Sequence, residues 1–335
     1  MFKRLNMCLA VYSVFVLLSA CDSETKQESK VVDVPEEVSS ESDEMKEGRK
    51  EVSKAIGEMA EALLKLHEIE KEHEEIKRNA ELGDRISQFK LGRLYGNGSL
   101  KEINMELAFE WIKKSAENGY VLAQYELGVC YSNGLGTDKN SEEAFKWYLK
   151  AAEEGMDYAL HNVGHSYENG LGVEKDLSEA FKYYEKAAIL GVANAQHNLG
   201  VMYQGGRGTI KNNEEALRWY RKAADQNFAS SQYNLGVIYV NGENVPQDTK
   251  KGLDFLNKAA ENNYSDAQYN LGIIYLNGRG VPKDMSIAYM WFNICAAKDN
   301  NAEDARNILE ENMTPEQIAE AQKMSREWVE KHKME

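Results

Sequence analysis

A spacing of 36 residues recurs throughout this chain and dominates its sequence. One glycine row keeps this spacing over six copies, at Gly92, Gly128, Gly164, Gly200, Gly236 and Gly272. A tyrosine row follows three residues later, and a second glycine row runs from Gly98 to Gly278. A period of this length is typical of a solenoid, in which each repeat buries its apolar face only against its neighbours. Because solenoids usually present an extended surface to a partner, the sequence favours a binding function over catalysis.

Within each repeat, start and stop signals predict two helices joined by a short loop. The second glycine row can adopt a positive φ and end the first helix. An Asn or Asp at one position of every repeat predicts the N-cap of the second helix: Asn104, Asn140, Asp176, Asn212, Asp248 and Asp284. Three repeats also carry a glutamate three residues after this position, which predicts capping boxes at Glu143, Glu179 and Glu215.

The first glycine row lies inside the first helix, where each glycine costs about 1 kcal/mol relative to alanine. We expect a close approach of the paired second helix to offset this cost. The predicted point of contact is the pair of small residues, such as Ala151-Ala152, on the second helix.

The segment Gln268-Tyr269-Asn270-Leu271-Gly272, followed by Gly280-Val281-Pro282-Lys283-Asp284, resembles the SEL-one-like repeat, a relative of the tetratricopeptide repeat. The resemblance covers residues 84–299, and it is weakest in the first copy, where Ser99-Leu100-Lys101 replaces the usual glycine-containing loop. It implies an all-α fold, a right-handed α-solenoid (superhelix) of six 36-residue helix-turn-helix repeats. It also implies an adaptor or regulatory role, with the first helices lining a concave groove.

Helical caps are predicted at both ends of the repeats. Residues 51–83 form an amphipathic helix whose apolar residues keep heptad spacing: Val52, Ala55, Met59, Ala62, Leu66, Ile69 and Ile76. A short coiled coil is one interpretation. Because Ala80 and Gly83 fall 36 residues before Ala116 and Gly119, we favour a half repeat that caps the stack. Residues 300–335 form C-terminal capping helices, and Thr314-Pro315-Glu316-Gln317 predicts a capping box.

The N-terminal residues predict export and lipidation. Residues 1–20 are predicted to form a signal peptide, since Lys3 and Arg4 precede an apolar stretch too short to span a bilayer. Leu18-Ser19-Ala20-Cys21 resembles the lipobox of bacterial lipoproteins, which implies a diacylglycerol on the Cys21 sulfur. An ordinary secretory signal with a chance cysteine is the alternative. Asp22 resembles the inner-membrane retention signal of enteric-type lipoproteins, which favours the inner membrane and leaves the outer membrane as the alternative. Residues 21–50 predict a disordered acidic tether.

The net charge excludes one class of partner, and the positions of the cysteines predict how the thiols pack. The net charge of −15 argues against nucleic-acid binding, which needs basic residues to displace phosphate counterions. Cys130 and Cys295 lie in repeat rows that hold small or apolar residues, so both thiols are predicted to be unpaired packing residues.

Candidate partner-binding residues lie on the first helices. An asparagine row, Asn162, Asn198, Asn234 and Asn270, could bind the backbone of an extended peptide, because amides both donate and accept. The alternative is that these asparagines belong to the repeat consensus and bond within the stack. Neighbouring rows vary between copies, and specificity is predicted at His165, Glu168 and Gln204.

No catalytic, metal or cofactor site is predicted. His161 and His165 are four residues apart, but His161 lies in a row of aromatic residues, which favours packing over metal binding. The sequence contains neither a Gly-x-Ser-x-Gly elbow nor a P-loop. Some disulfide-rich members of the family have been credited with beta-lactamase activity, but this chain lacks their paired cysteines.

Together these patterns predict a non-enzymatic adaptor or regulatory scaffold of the bacterial cell envelope. It would be held by the Cys21 lipid to a membrane facing the periplasm and would bind a protein or peptide in its groove. One alternative is an immunity protein that neutralises a toxic envelope enzyme. Another is an envelope hydrolase, for which the sequence offers no candidate catalytic residue.

Overall fold

The computed structural model describes residues 43–100 and 102–332. These residues form fifteen α-helices and no strand, which confirms the all-α class. The predicted signal peptide, Cys21, Asp22 and residues 23–42 of the tether lie outside the described residues. The last three residues, 333–335, also lie outside them.

Six helix pairs form the repeats, and each helix packs mainly against the next one along the chain. This sequential pairing confirms the predicted solenoid. The first three pairs are α2 (Arg85–Gly96) with α3 (Met105–Glu117), α4 (Val121–Asn133) with α5 (Ser141–Glu153), and α6 (Asp157–Asn169) with α7 (Leu177–Ile189). The others are α8 (Ala193–Gly205) with α9 (Asn213–Asp225), α10 (Ala229–Asn241) with α11 (Thr249–Glu261), and α12 (Ser265–Asn277) with α13 (Met285–Cys295).

A single long helix, α1 (Asp43–Glu81), precedes the repeats. It begins eight residues before the predicted boundary at 51, so the expectation of disorder over 43–50 is wrong. Disorder was inferred from the lack of apolar periodicity, but this stretch holds Glu, Met, Lys and Arg, which favour helix without any apolar face. Acidic residues at its start also suit the positive end of the helix dipole.

The two parts of α1 differ in burial. From Val52 to His67 its apolar side chains are exposed, and Val52, Met59 and Leu66 each retain 56% of their accessible surface. Farther along the helix, Ile76 and Ala80 are buried with Leu91 of the first repeat. This last part of α1 therefore covers the first repeat, in the position predicted for a cap.

The helix ends follow the predicted caps in most details. In all six repeats the Asn or Asp side chain accepts a hydrogen bond from a backbone N–H in the first turn of the second helix. Gly134 ends α4 in the left-handed conformation, with φ of 75°, and the next four repeats end their first helices in the same way. The first repeat differs, because α2 ends at Gly96 with Asn97 as its C-cap.

The capping boxes predicted within the repeats are wrong. The side chains of Glu143 and Glu179 accept hydrogen bonds from Lys146 and Lys182, and Glu215 pairs with Arg218 in the same way. A basic residue three positions on therefore takes the carboxylate that would have turned back to the N-cap. At the C-terminal end, Thr314 and Gln317 do form the predicted capping box.

Close packing at the first glycine row is confirmed, but its partner is not the alanine pair. A Cβ added at Gly128 would lie 2.6 Å from the ring of Tyr148 and 3.2 Å from the carbonyl oxygen of Ala144. The corresponding glycines face Tyr184, Tyr220, Leu256 and Phe292 in the following repeats. The side chain one turn before the alanine pair therefore crosses the glycine, and Ala151 and Ala152 pack in a cluster with residues of the next repeat.

The C-terminal cap consists of α14 (Asn300–Glu310) and α15 (Pro315–Lys331). Ala321 is buried, and the rings of Trp291 and Trp328 meet edge to face with centroids 5.4 Å apart. Cys130 and Cys295 are both buried and free, which confirms their assignment as packing residues. Burial raises the pKa of the Cys130 thiol to about 11 and that of the Cys295 thiol to about 12.

Candidate binding surface

The four predicted asparagines lie one per repeat on α6, α8, α10 and α12, and all are half-buried. Three of them take part in hydrogen bonds of the stack. Asn198 Nδ2 lies 3.3 Å from His161 Nε2 in the preceding repeat, and Asn270 Nδ2 donates to the Tyr233 hydroxyl over 3.1 Å. Asn162 Oδ1 lies 3.2 Å from Nδ1 of its neighbour His161. Asn198 and Asn270 therefore connect repeats, as the alternative interpretation of the row holds, whereas this bond of Asn162 stays within its own helix.

The imidazole of His161 is fixed by this network. Because the Asn198 amide donates, His161 Nε2 accepts, and the proton sits on Nδ1 and is donated to Asn162 Oδ1. Burial lowers the pKa of His161, so the ring is neutral at pH 7. It also packs against the Tyr184 ring, with centroids 5.4 Å apart, as expected for its aromatic row.

The variable positions Glu168 and Gln204 accept hydrogen bonds from tyrosines of the paired helix. The Tyr184 hydroxyl donates to Glu168 Oε2 and the Tyr220 hydroxyl to Gln204 Oε1, each over 2.7 Å. Glu168 also forms an ion pair with Arg207 of the next repeat at 3.0 Å. Burial raises the pKa of Tyr220 to about 12, so this hydroxyl stays protonated and remains a donor.

His165 differs from the other predicted residues because its side chain is exposed. It lines a cleft of about 270 Å³ between the second and third repeats, together with Ser132, Tyr148, His161 and Asn162. The structure thus brings two predicted residues, Asn162 and His165, to one polar cleft. Hydroxyl, amide and imidazole groups there can donate and accept hydrogen bonds, which suits a peptide backbone or polar side chain.

One serine–histidine pair was not predicted from the sequence. Ser231 Oγ lies 2.9 Å from His197 Nδ1, but the residue retains 0% of its accessible surface. A substrate could not reach that hydroxyl in this arrangement, so the pair joins two repeats. Within residues 43–100 and 102–332, no group of three His, Cys, Asp or Glu side chains is placed to hold a metal ion.

Six consecutive segments match the profile of the Sel1 repeat: 85–120, 121–156, 157–192, 193–228, 229–264 and 265–300. They cover more than half of the chain. The chain belongs to the Sel1 repeat family. The matched segments differ by one residue at each end from the predicted repeat region, 84–299.

A solved Sel1 repeat structure shares this architecture. The chain is similar to a Sel1 repeat protein from Oxalobacter formigenes, with 32% identity over 65% of this chain and 89% of that one and a TM-score of 0.61. It is also similar to c5321, a protective antigen of uropathogenic Escherichia coli strains with an SLR fold (24% identity, 77% and 79% of the two chains, TM-score 0.41). A further match is immunity protein Pa5087 from Pseudomonas aeruginosa (22% identity, 65% and 79% of the two chains, TM-score 0.39). The comparison with curated proteins found no match.

Sel1 repeats form a scaffold suited to protein–protein interaction, and here the tyrosines of the second helices set the polarity of the first-helix surface. Tyr148, Tyr184 and Tyr220 lie 16 residues after Ser132, Glu168 and Gln204, whereas Leu256 and Phe292 follow Val240 and Leu276. A polar residue on the first helix thus pairs with a tyrosine on the second helix, and an apolar residue pairs with another apolar residue. This covariation at a spacing of 16 residues could have been found in the sequence.

No helix of the described residues is long and apolar enough to span a bilayer.

Proposed function

We propose that this Sel1 repeat protein is a lipid-anchored adaptor or regulatory scaffold of the bacterial cell envelope that binds a protein or peptide along its first helices. The observation that carries the proposal is the polar cleft between the second and third repeats. It combines exposed His165 with the hydroxyl of Tyr148 and the amide of Asn162 on a rigid array of paired helices.

The repeat spacing fits an extended peptide. Packed helices lie about 8–10 Å apart, and an extended chain rises about 3.3 Å per residue. One repeat therefore corresponds to about three peptide residues, so every third residue would meet the same position of successive repeats. The stack bonds of Asn198 and Asn270 use a single amide N–H each, and an amide has a second N–H to offer a ligand.

The position along the array would determine selectivity. Ser132, Glu168 and Gln204 present polar groups in repeats two to four, whereas the half-buried Leu276 is apolar and Val240 is buried in the core. A partner would thus place a polar segment against the N-terminal repeats and an apolar one against the C-terminal repeats.

The envelope location rests on the N-terminal sequence. Lys3, Arg4 and the apolar stretch before Cys21 support export and lipidation, and Asp22 supports retention at the inner membrane. Multiple acyl chains give stable anchoring, because each buried methylene adds about 0.8 kcal/mol. Cys21→Ser is expected to move the protein from the membrane fraction to the soluble fraction and to abolish labelling by a palmitate analogue.

Groove binding is tested by filling the cleft with a bulky side chain, because removing the asparagines would also break hydrogen bonds between repeats. His165→Trp fills the cleft from an exposed position, and Glu142→Trp is the matched control on an exposed position of α5. Crosslinked envelopes are purified with each variant and with the wild type, and partners are identified by mass spectrometry. A partner lost only with His165→Trp supports the proposal; equal recovery from all three proteins contradicts binding at this cleft.

A further inference from the structure

A buried glutamine joins neighbouring helices at the same position of several repeats. Nε2 of Gln88, Gln196, Gln232 and Gln268 donates to the carbonyl oxygen of an alanine eight residues earlier, over 3.1–3.3 Å. In three of these, Oε1 accepts from an amide 30 residues later, at 2.9 Å: Asn118 for Gln88, Gln226 for Gln196 and Asn262 for Gln232. Both ends of the glutamine amide are thus satisfied.

The second repeat breaks this pattern. Its glutamine is Gln124, and the residue 30 positions later is Glu154, whose carboxylate has no N–H to donate. Gln124 is 9% exposed, and its Oε1 is buried without a hydrogen-bond partner among the described residues. The other repeats avoid this conflict: the third has Leu160 with Leu190, and the sixth has Gln268 with the donor Lys298.

The side chain that carries the unpartnered oxygen lines a cleft. Gln124 lines a space of about 530 Å³ between the C-terminal ends of α3 and α5. Three exposed carboxylates surround it, those of Glu117, Glu153 and Glu154. Lys150 is the one basic residue of the lining. Its Nζ lies over the Trp147 ring, 4.0 Å from the ring centroid. The cleft is therefore acidic and offers acceptors on several sides.

We propose that this cleft binds the ammonium or guanidinium group of a Lys or Arg side chain on a partner protein. Once the Gln124 side chain turns its buried Oε1 toward the cleft, the ligand N–H would donate to that oxygen and so replace the amide that the other repeats supply from within. The carboxylates of Glu117 and Glu154 would balance the charge. A buried acceptor without a donor is costly, and a charge-assisted hydrogen bond is about twice as strong as a neutral one, so both effects favour such a ligand.

Gln124 also lacks the bond at the other end of its amide, because no hydrogen bond joins its Nε2 to the carbonyl oxygen of Ala116 among the described residues. This proposal rests on the proposed role in protein binding and adds a second contact, formed by α3, α4 and α5, that selects basic residues. It is independent of the first-helix cleft at His165.

The test uses the full-length chain with 15N-labelled tryptophan, which gives five indole signals. Trp147 lines the cleft, and its signal is identified from a Trp147→Phe variant. The probes are n-butylammonium and N-methylguanidinium; tetramethylammonium carries the same charge but has no N–H. We expect saturable shifts of the Trp147 signal with the first two only. Equal shifts with tetramethylammonium, or no shift at tens of millimolar probe, would overturn the proposal.

Glu154→Gln supplies the missing donor from within, as Gln226 does in the fourth repeat. It is expected to weaken probe binding at least tenfold and to raise the unfolding temperature. Glu110→Gln removes the same charge from an exposed position outside the cleft and should change neither. If Glu154→Gln and Glu110→Gln behave alike, the unpartnered oxygen does not bind the probe.

The source of the cation is tested with two further probes. A capped tripeptide with a central lysine represents a partner side chain, and spermidine represents a free polyamine. Binding of the tripeptide supports a protein partner, whereas shifts with spermidine alone would overturn that assignment. The pull-down with His165→Trp examines the first-helix cleft separately, so the two proposals can fail independently.

Discussion

Replacing Gly200 by alanine measures how tightly the paired helices are packed. The added Cβ would lie 2.7 Å from two ring carbons of Tyr220, where an ordinary contact begins at 3.4 Å. The ring has little freedom to withdraw, because Tyr220 is fully buried and its hydroxyl is held by Gln204 at 2.7 Å. The substitution therefore forces either the ring or α8 to shift.

Two opposing terms determine the size of the effect. Overpacking a core typically costs about 1–3 kcal/mol, and alanine gains about 1 kcal/mol over glycine inside a helix. Because contacts as short as 2.7 Å place this site at the upper end of that range, we expect a net loss of about 2 kcal/mol. For a domain of this size such a loss lowers the unfolding temperature by roughly 4–8 °C.

The assay is thermal unfolding followed by helical circular dichroism on the full-length chain. In a Tyr220→Ala background the space opposite Gly200 is open, so Gly200→Ala should there be neutral or stabilising by about 1 kcal/mol. A Gly200→Ala protein that is more stable than the wild type would refute close packing as the reason for this glycine row.

Two further predictions concern buried groups that titrate. Burial lowers the pKa of His197 from 6.5 to about 4, so the folded state binds fewer protons than the unfolded state between these values. Stability to urea is therefore expected to be full above pH 6.5 and to fall as the pH drops toward 4, with a smaller slope in His197→Gln; equal slopes would contradict this assignment. In a chain with Cys8 and Cys21 replaced by serine, we expect Cys130 and Cys295 to react with a disulfide reagent only after unfolding, since burial raises their pKa to about 11 and 12. Rapid reaction of the native protein would show that one of the thiols is accessible.

Local signals in the sequence were sufficient for most of the fold. The N-cap residues from Asn104 to Asp284 and the left-handed Gly134 act within one or two turns of the chain, and the structure has them where they were predicted. The capping boxes were wrong because a lysine or arginine on the next turn competes for the same carboxylate. The start of α1 was missed because helix propensity without an apolar face leaves no periodic pattern.

The candidate sites were harder to predict because their contacts cross repeats. Asn198 reaches His161, 37 residues away, and the sequence alone does not show which of two neighbouring helices an amide faces. The conflict at Gln124 depends on a partner 30 residues later, and it becomes visible only once the other repeats reveal what that partner usually supplies. The binding roles of Asn162, Asn198, Asn234, Asn270, His165, Glu168 and Gln204 remain predictions.

The hydrogen bonds of the buried glutamines also differ between the joints of the array, that is, between the contacts of consecutive repeats. Within the described residues they fasten the fourth repeat to the third, the fifth to the fourth and the sixth to the fifth, while no such bond joins the first three repeats to each other. Apolar contact is non-directional and tolerates small rotations that a hydrogen bond resists. Both clefts, at Gln124 and at His165, lie at joints without this glutamine bond, although Arg93 and Glu126 pair across the first of these joints at 2.7 Å.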